Sequence, residues 1–246
     1  MTTRLSKLDR ETTGLKVFPL FTLMGWVLIG FSILVGILVL GPTAASYWGG
    51  NANAIFFSAS KATREAAEAG SVLVAANVLR HSLPTWVPSF KFLGLGIMLG
   101  AITMALGLIA TTLRDLGKDV TSLWPDELNP GVPQKPRSAK LFPMLMMMGW
   151  TLLLIGLIVA LWLNGTVTSY WNHSIVNVLN PAGAGSALLN QLGLITGTLP
   201  WLGFLRFAGM ALLFTSITVA LTVIIRTLQT QKNLLNKFVQ ARSGGN

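Results

Sequence analysis

Residues 140–150 read KLFPMLMMMGW, and residues 16–26 read KVFPLFTLMGW, 124 positions earlier. Each opens on a lysine, sets a proline three positions on and then runs into an apolar stretch. The first continues to Leu40 as LFTLMGWVLIGFSILVGILVL from Leu20, without a charge. About 20 mostly apolar residues in helical form cross a hydrocarbon core, so this length predicts a membrane-spanning helix. Both stretches also finish on a shared phrase, SYWGGN at 46–51 and SYWNHS at 169–174.

Two further stretches qualify as spans, at about 92–113 and 207–225, and they also resemble each other. LPTWVPSFKFLGLGIMLGAITMALGLIATTL aligns with LPWLGFLRFAGMALLFTSITVALTVIIRTL. Leu83-Pro84 falls opposite Leu199-Pro200, Lys91 opposite Arg206, and ITMAL at 102–106 opposite ITVAL at 217–221. The expected fold is therefore an all-α integral membrane protein with four transmembrane helices, at about 20–40, 92–113, 141–163 and 207–225. They form a tandem repeat of two helical hairpins. A unit with an even number of crossings returns to its starting side, so the two copies share one orientation and the repeat is parallel. The expected divisions are a first repeat at 1–118, a linker rich in proline and charge at 119–139, and a second repeat at 140–246 with a basic C-terminal extension.

Composition agrees with lipid as the solvent. Hydrophobic residues make up 52% of the chain and charged residues 11%, against about 25% charged in soluble domains. The absence of cysteine excludes disulfides, thiolate metal sites and a cysteine nucleophile. A net charge of +10 reads here as flanking charge that fixes orientation, not as a nucleic-acid footprint. Of the 18 Lys and Arg residues, 13 fall in the N-terminal segment, the central loop and the tail. Basic residues resist translocation, so both termini and the central loop are expected on the cytoplasmic side of a cell (inner or plasma) membrane. The opening MTTRLSKLDRETTGLK lacks a small-residue cleavage pattern, and the helix after it is read as retained.

The candidate contact residues lie on the opposite side. Tyr47, Trp48, Tyr170 and Trp171 follow the outer ends of the first and third spans, where aromatic rings favour the headgroup zone or dock a partner. Lys91 and Arg206 are the matched cations of the repeat, placed to snorkel or to hold a lipid phosphate or a partner's carboxylate. His81 and His173 occupy different places in the two copies and make no metal set. Gly96 and Gly100, with Ala101, Ala105, Ser216 and Ala220, supply small residues for close helix packing. Trp26 and Trp150 are expected as interfacial anchors, and Pro19 and Pro143 as first-turn prolines. The loop at 58–82 is Ala-rich with mixed charge and favours a helix. Its counterpart at 175–198 is uncharged and is expected to be a contact surface. The tail from 227 on is expected to be an amphipathic basic helix on the anionic leaflet.

No Walker motif, dinucleotide fingerprint, HExxH or nucleophile elbow occurs. No catalytic residue, cofactor or metal ligand is assigned. The expected spans hold no Asp or Glu, which argues against proton-coupled transport. The expected function is that of a non-catalytic membrane subunit, a scaffold or assembly component of a larger complex. Its partners are membrane lipids and other subunits, in a hetero-complex or a homo-oligomer. The alternative is a small transporter or channel whose neutral path is lined by Thr103, Ser216, Thr218 and Thr222. A third reading is an enzyme or lipid-binding protein acting through Lys91 and Arg206.

Overall fold

The computed structural model describes residues 2–40, 52–122 and 137–243. Among these residues there is no strand. The elements in chain order are α1 (Thr2–Leu40), α2 (Ala52–Ser58), α3 (Lys61–Glu65), α4 (Val72–Thr121), a 3-10 turn (Arg137–Lys140), α5 (Leu141–Trp171), α6 (Ile175–Leu179), α7 (Pro181–Ala184) and α8 (Ser186–Ser243). Four of these, α1, α4, α5 and α8, are long and apolar enough to cross a membrane, so the chain reads as a multi-pass membrane protein. Among the described residues, each half of the chain runs long helix, two short helices, long helix.

All four expected spans lie inside long helices, but the helices are longer than expected. α4 has 50 residues and α8 has 58. At 1.5 Å per residue these measure about 75 and 87 Å, more than twice a hydrocarbon core of about 30 Å. The overrun absorbs part of the expected outer loops. Residues 72–82 of the first belong to α4 and residues 186–198 of the second to α8. α1 likewise starts at Thr2, so Pro19 lies inside the helix and not in its first turn. Pro143, the third residue of α5, fits the first turn as expected and removes a donor that has no partner there. Pro84 and Pro88 in α4 and Pro200 in α8 sit in helix interiors. Each removes one bond of the helical ladder, a loss neighbouring helices make tolerable. The linker at 119–139 lies mostly outside the described residues.

The chain divides into two compact units. Unit 1 comprises 1–23, 97–149 and 211–246; unit 2 comprises 24–96 and 150–210. In unit 2, α4 is the common neighbour. Gly94 is packed so closely on α1 that a Cβ there would lie 2.7 Å from the carbonyl oxygen of Gly25 and 3.0 Å from Leu28 Cβ. Higher on the same pair of helices, the Phe31 ring stands edge-on to Phe90 with centroids 5.7 Å apart. The Trp150 indole of α5 donates to the Gly96 carbonyl of α4 at 2.9 Å. Ala160, Leu163 and Val167 of α5 form a core with Val178 of α6 and Leu188, Ile195 and Leu202 of α8.

Unit 1 is joined by polar contacts to backbone. Ser216 of α8 donates to the Phe142 carbonyl of α5 at 2.6 Å. The Phe142 ring also covers Gly107 of α4. Gln231 of α8 donates to the Leu113 carbonyl of α4 and lies over Gly117. The tail is helical, as expected. It continues α8 without a break and packs on α4 through Gln231.

Candidate functional site

Among the matched cations of the sequence, Arg206 has a built environment. It lies on α8 one turn past Leu202, which is fully buried. Its Nε donates to Ser89 Oγ at 3.0 Å. Nη2 donates to the same Oγ at 2.7 Å and to the Thr85 carbonyl at 2.8 Å. Ser89 and Thr85 are one turn apart on α4 and both are buried. Helical spacing puts them on one face, one above the other. That face meets the planar guanidinium fork, which presents donors in a fixed geometry. Thr85 Oγ1 in turn donates to the His81 carbonyl at 3.0 Å. Gly156 of α5 adds a small surface against Leu205 and Arg206.

All the acceptors that hold Arg206 are neutral oxygens. No carboxylate pairs with it among the described residues. A guanidinium at this depth is costly unless its donors are satisfied. Here both Nε and Nη2 are, and α8 is tied to α4. Bidentate recognition of a bare phosphate from the Nε edge would require breaking these bonds.

Lys91 does not join this arrangement. It is exposed on α4, two residues past Ser89, and makes no hydrogen bond or ion pair among the described residues. The matched positions of the sequence therefore have different surroundings. Tyr170 departs from its expected place. It is buried in the unit 2 core, not presented to headgroups or a partner. The physical reason is the turn after α5, which folds α6 back so that the Val178 carbonyl accepts from Tyr170 Oη at 3.0 Å. Trp171 is partly buried and stacks with His81 at a centroid separation of 3.5 Å. Tyr47 and Trp48 lie outside the described residues. His173 bonds back to the Ser169 carbonyl at 2.9 Å. Among the described residues no group of three His, Cys, Asp or Glu side chains is placed to hold a metal ion.

A second cationic feature escaped the sequence reading. Arg80 donates to Asn53 Oδ1 at 2.8 Å and lies 4.5 and 4.2 Å from the ring centroids of Phe56 and Phe57. Arg64 lies over the same two rings at 5.3 and 5.7 Å. These contacts fasten α2 to α3 and α4 by cation–π attraction. The signal was present as FF at 56–57 ahead of two arginines, but only the fold brings them together. No family model, curated protein or solved structure matches the chain.

Proposed function

We propose that the chain is a non-catalytic integral subunit of a larger membrane assembly, built as a tandem pair of hairpins with both termini on the cytoplasmic side. The observation that carries this reading is the use made of Arg206. This cation within a long helix ties α8 to α4 through neutral oxygens and is not directed toward a reacting group. The shared order of long and short helices in the two halves supports the duplication. The hydroxyls that would line a neutral path are committed to main chain. Thr103 donates to Leu99, Ser216 to Phe142, Thr218 to Phe214 and Thr222 to Thr218. Thr218 and Thr222 are exposed while Thr103 and Ser216 are buried, so the four do not face one lumen. In unit 2, α8 leaves Trp201, Phe204 and Phe207, on either side of Arg206, each 68% exposed. Large aromatic rings on one stretch of helix fit a partner helix surface.

The test is purification in mild detergent from the native membrane, followed by native mass spectrometry and by flux assays on the same preparation in liposomes. A defined mass with other membrane subunits, and no flux from the chain alone, is the expected outcome. A lone monodisperse chain that moves an ion or solute sinks the reading in favour of a transporter or channel.

A further inference from the structure

Unit 1 contains a recess where α4, the 3-10 turn, α5 and α8 meet. It measures about 60 Å³ and opens to the surface. At the 10–15 Å³ that one water requires, it has room for several waters or one oxyanion. Most of its wall is apolar or already bonded. Phe142 and Val223 contribute hydrocarbon. The Thr111 and Thr227 hydroxyls donate to the Leu108 and Val223 carbonyls. Arg114 is the exception. Its Nε is buried and has no hydrogen-bond acceptor among the described residues. Ser138 Oγ, beside the lining residue Ala139, is also buried without a partner. Unsatisfied buried donors are rare in native proteins, and a bound water or ion is a common completion of one.

Charge and surroundings identify that group. Lys140 and Arg226 adjoin the lining residues Ala139 and Thr227, and both are exposed. The nearest acid on α4, Asp115, is paired with Lys118 at 3.2 Å. The recess is therefore a cationic pocket with one uncommitted donor side chain, Arg114, in its wall. A guanidinium beside a small void matches a phosphate oxyanion. Beside it, Ile109 of α4 and Leu141 and Met144 of α5 are exposed apolar side chains on helices able to span a membrane. A free anion would have no use for them, whereas acyl chains would cover them.

We propose that this recess holds the phosphate of an anionic phospholipid, with Arg114 as its principal ligand and the acyl chains running along α4 and α5. The site is separate from Arg206, and it stands whether or not the chain has protein partners.

The experiment uses the full chain, delipidated in detergent and titrated with phosphatidylglycerol or phosphatidylcholine, with bound lipid counted by native mass spectrometry. One tightly retained phosphatidylglycerol per chain is expected, with phosphatidylcholine bound at least tenfold more weakly. Arg114→Gln should weaken phosphatidylglycerol at least tenfold, and Arg114→Lys should recover part of the loss. Ala110→Leu, which fills the recess and keeps the charge, should weaken it similarly, so the result does not hang on one variant. Lys237→Gln, about three turns further along α8 and outside the recess, should change it less than threefold. Helicity and monodispersity report folding of each variant. Equal binding by the native chain and Arg114→Gln overturns the proposal. So does absence of any retained lipid, which leaves water as the occupant. Displacement of the lipid by millimolar inorganic phosphate also overturns it, by assigning the site to a free anion.

Discussion

Arg206 on α8 grips a single hydroxyl, that of Ser89 on α4, through two nitrogens at 3.0 and 2.7 Å. The two ends of this contact are not equivalent. Removing the serine leaves a guanidinium partly buried and short of acceptors, while removing the arginine takes the charge away with the bonds. Bonds to a charged group contribute about 1.5–3 kcal/mol each, and a charge stripped of its partner costs more than the pair was worth. Ser89→Ala is therefore expected to destabilise by about 2–3 kcal/mol, and Arg206→Met by about 1–2 kcal/mol. Equilibrium unfolding of the detergent-solubilised chain measures both. The reverse order would show that the clamp contributes through the arginine's packing alone.

Tyr170→Phe keeps the ring in the unit 2 core and removes its bond to the Val178 carbonyl. A loss of about 1–2 kcal/mol is expected, since a buried carbonyl is left unsatisfied. Amide hydrogen exchange should rise locally in α6. An unchanged exchange rate there would mean that the hydroxyl does not hold the turn.

Glycine substitutions separate contact from propensity. At Gly94 a new Cβ would collide with the Gly25 carbonyl oxygen at 2.7 Å, so Gly94→Ala should cost about 1–3 kcal/mol as α1 is pushed away. At Gly30 and Gly36 nothing lies within 4 Å of an added Cβ. Alanine at either should be neutral or stabilise by up to about 1 kcal/mol, through helix propensity. Thermal midpoints of the three variants decide it. Similar midpoints for all three would remove the α1–α4 contact.

The chain has no native cysteine, so single-cysteine variants report sidedness cleanly. Ser6→Cys, Ser122→Cys and Ser243→Cys should react with an impermeant maleimide only from the cytoplasmic side. Ser58→Cys and Ser174→Cys should react only from the other. Opposite labelling of Ser58 and Ser174 would overturn the parallel repeat.

The spans were legible in the sequence because length and apolarity are sufficient signals for them. Their true ends were not. Residues 175–198 carry no charge and several glycines, which reads as a loop, yet Leu188 and Ile195, with Leu202 beyond them, recur at seven-residue intervals and bury one face against α5. That periodicity was available and outweighed the glycines. Arg206 was visible as an isolated cation, but Ser89 lies 117 positions away, and nothing in local sequence sets that register. The burial of Tyr170 likewise depends on a carbonyl eight residues on. Arg114 looked like one flanking charge among several, and only the convergence of three long helices singles out its Nε.

The seam at Gly94 and Gly25 has a mechanical consequence. The Gly25 carbonyl oxygen and Leu28 Cβ that face Gly94 are fixed to the α1 main chain and do not move with a rotamer, so little there can cushion a push. α1 and α4 act along that line as two hard rails. Pivoting between them is hardest at that point and easier elsewhere along their length.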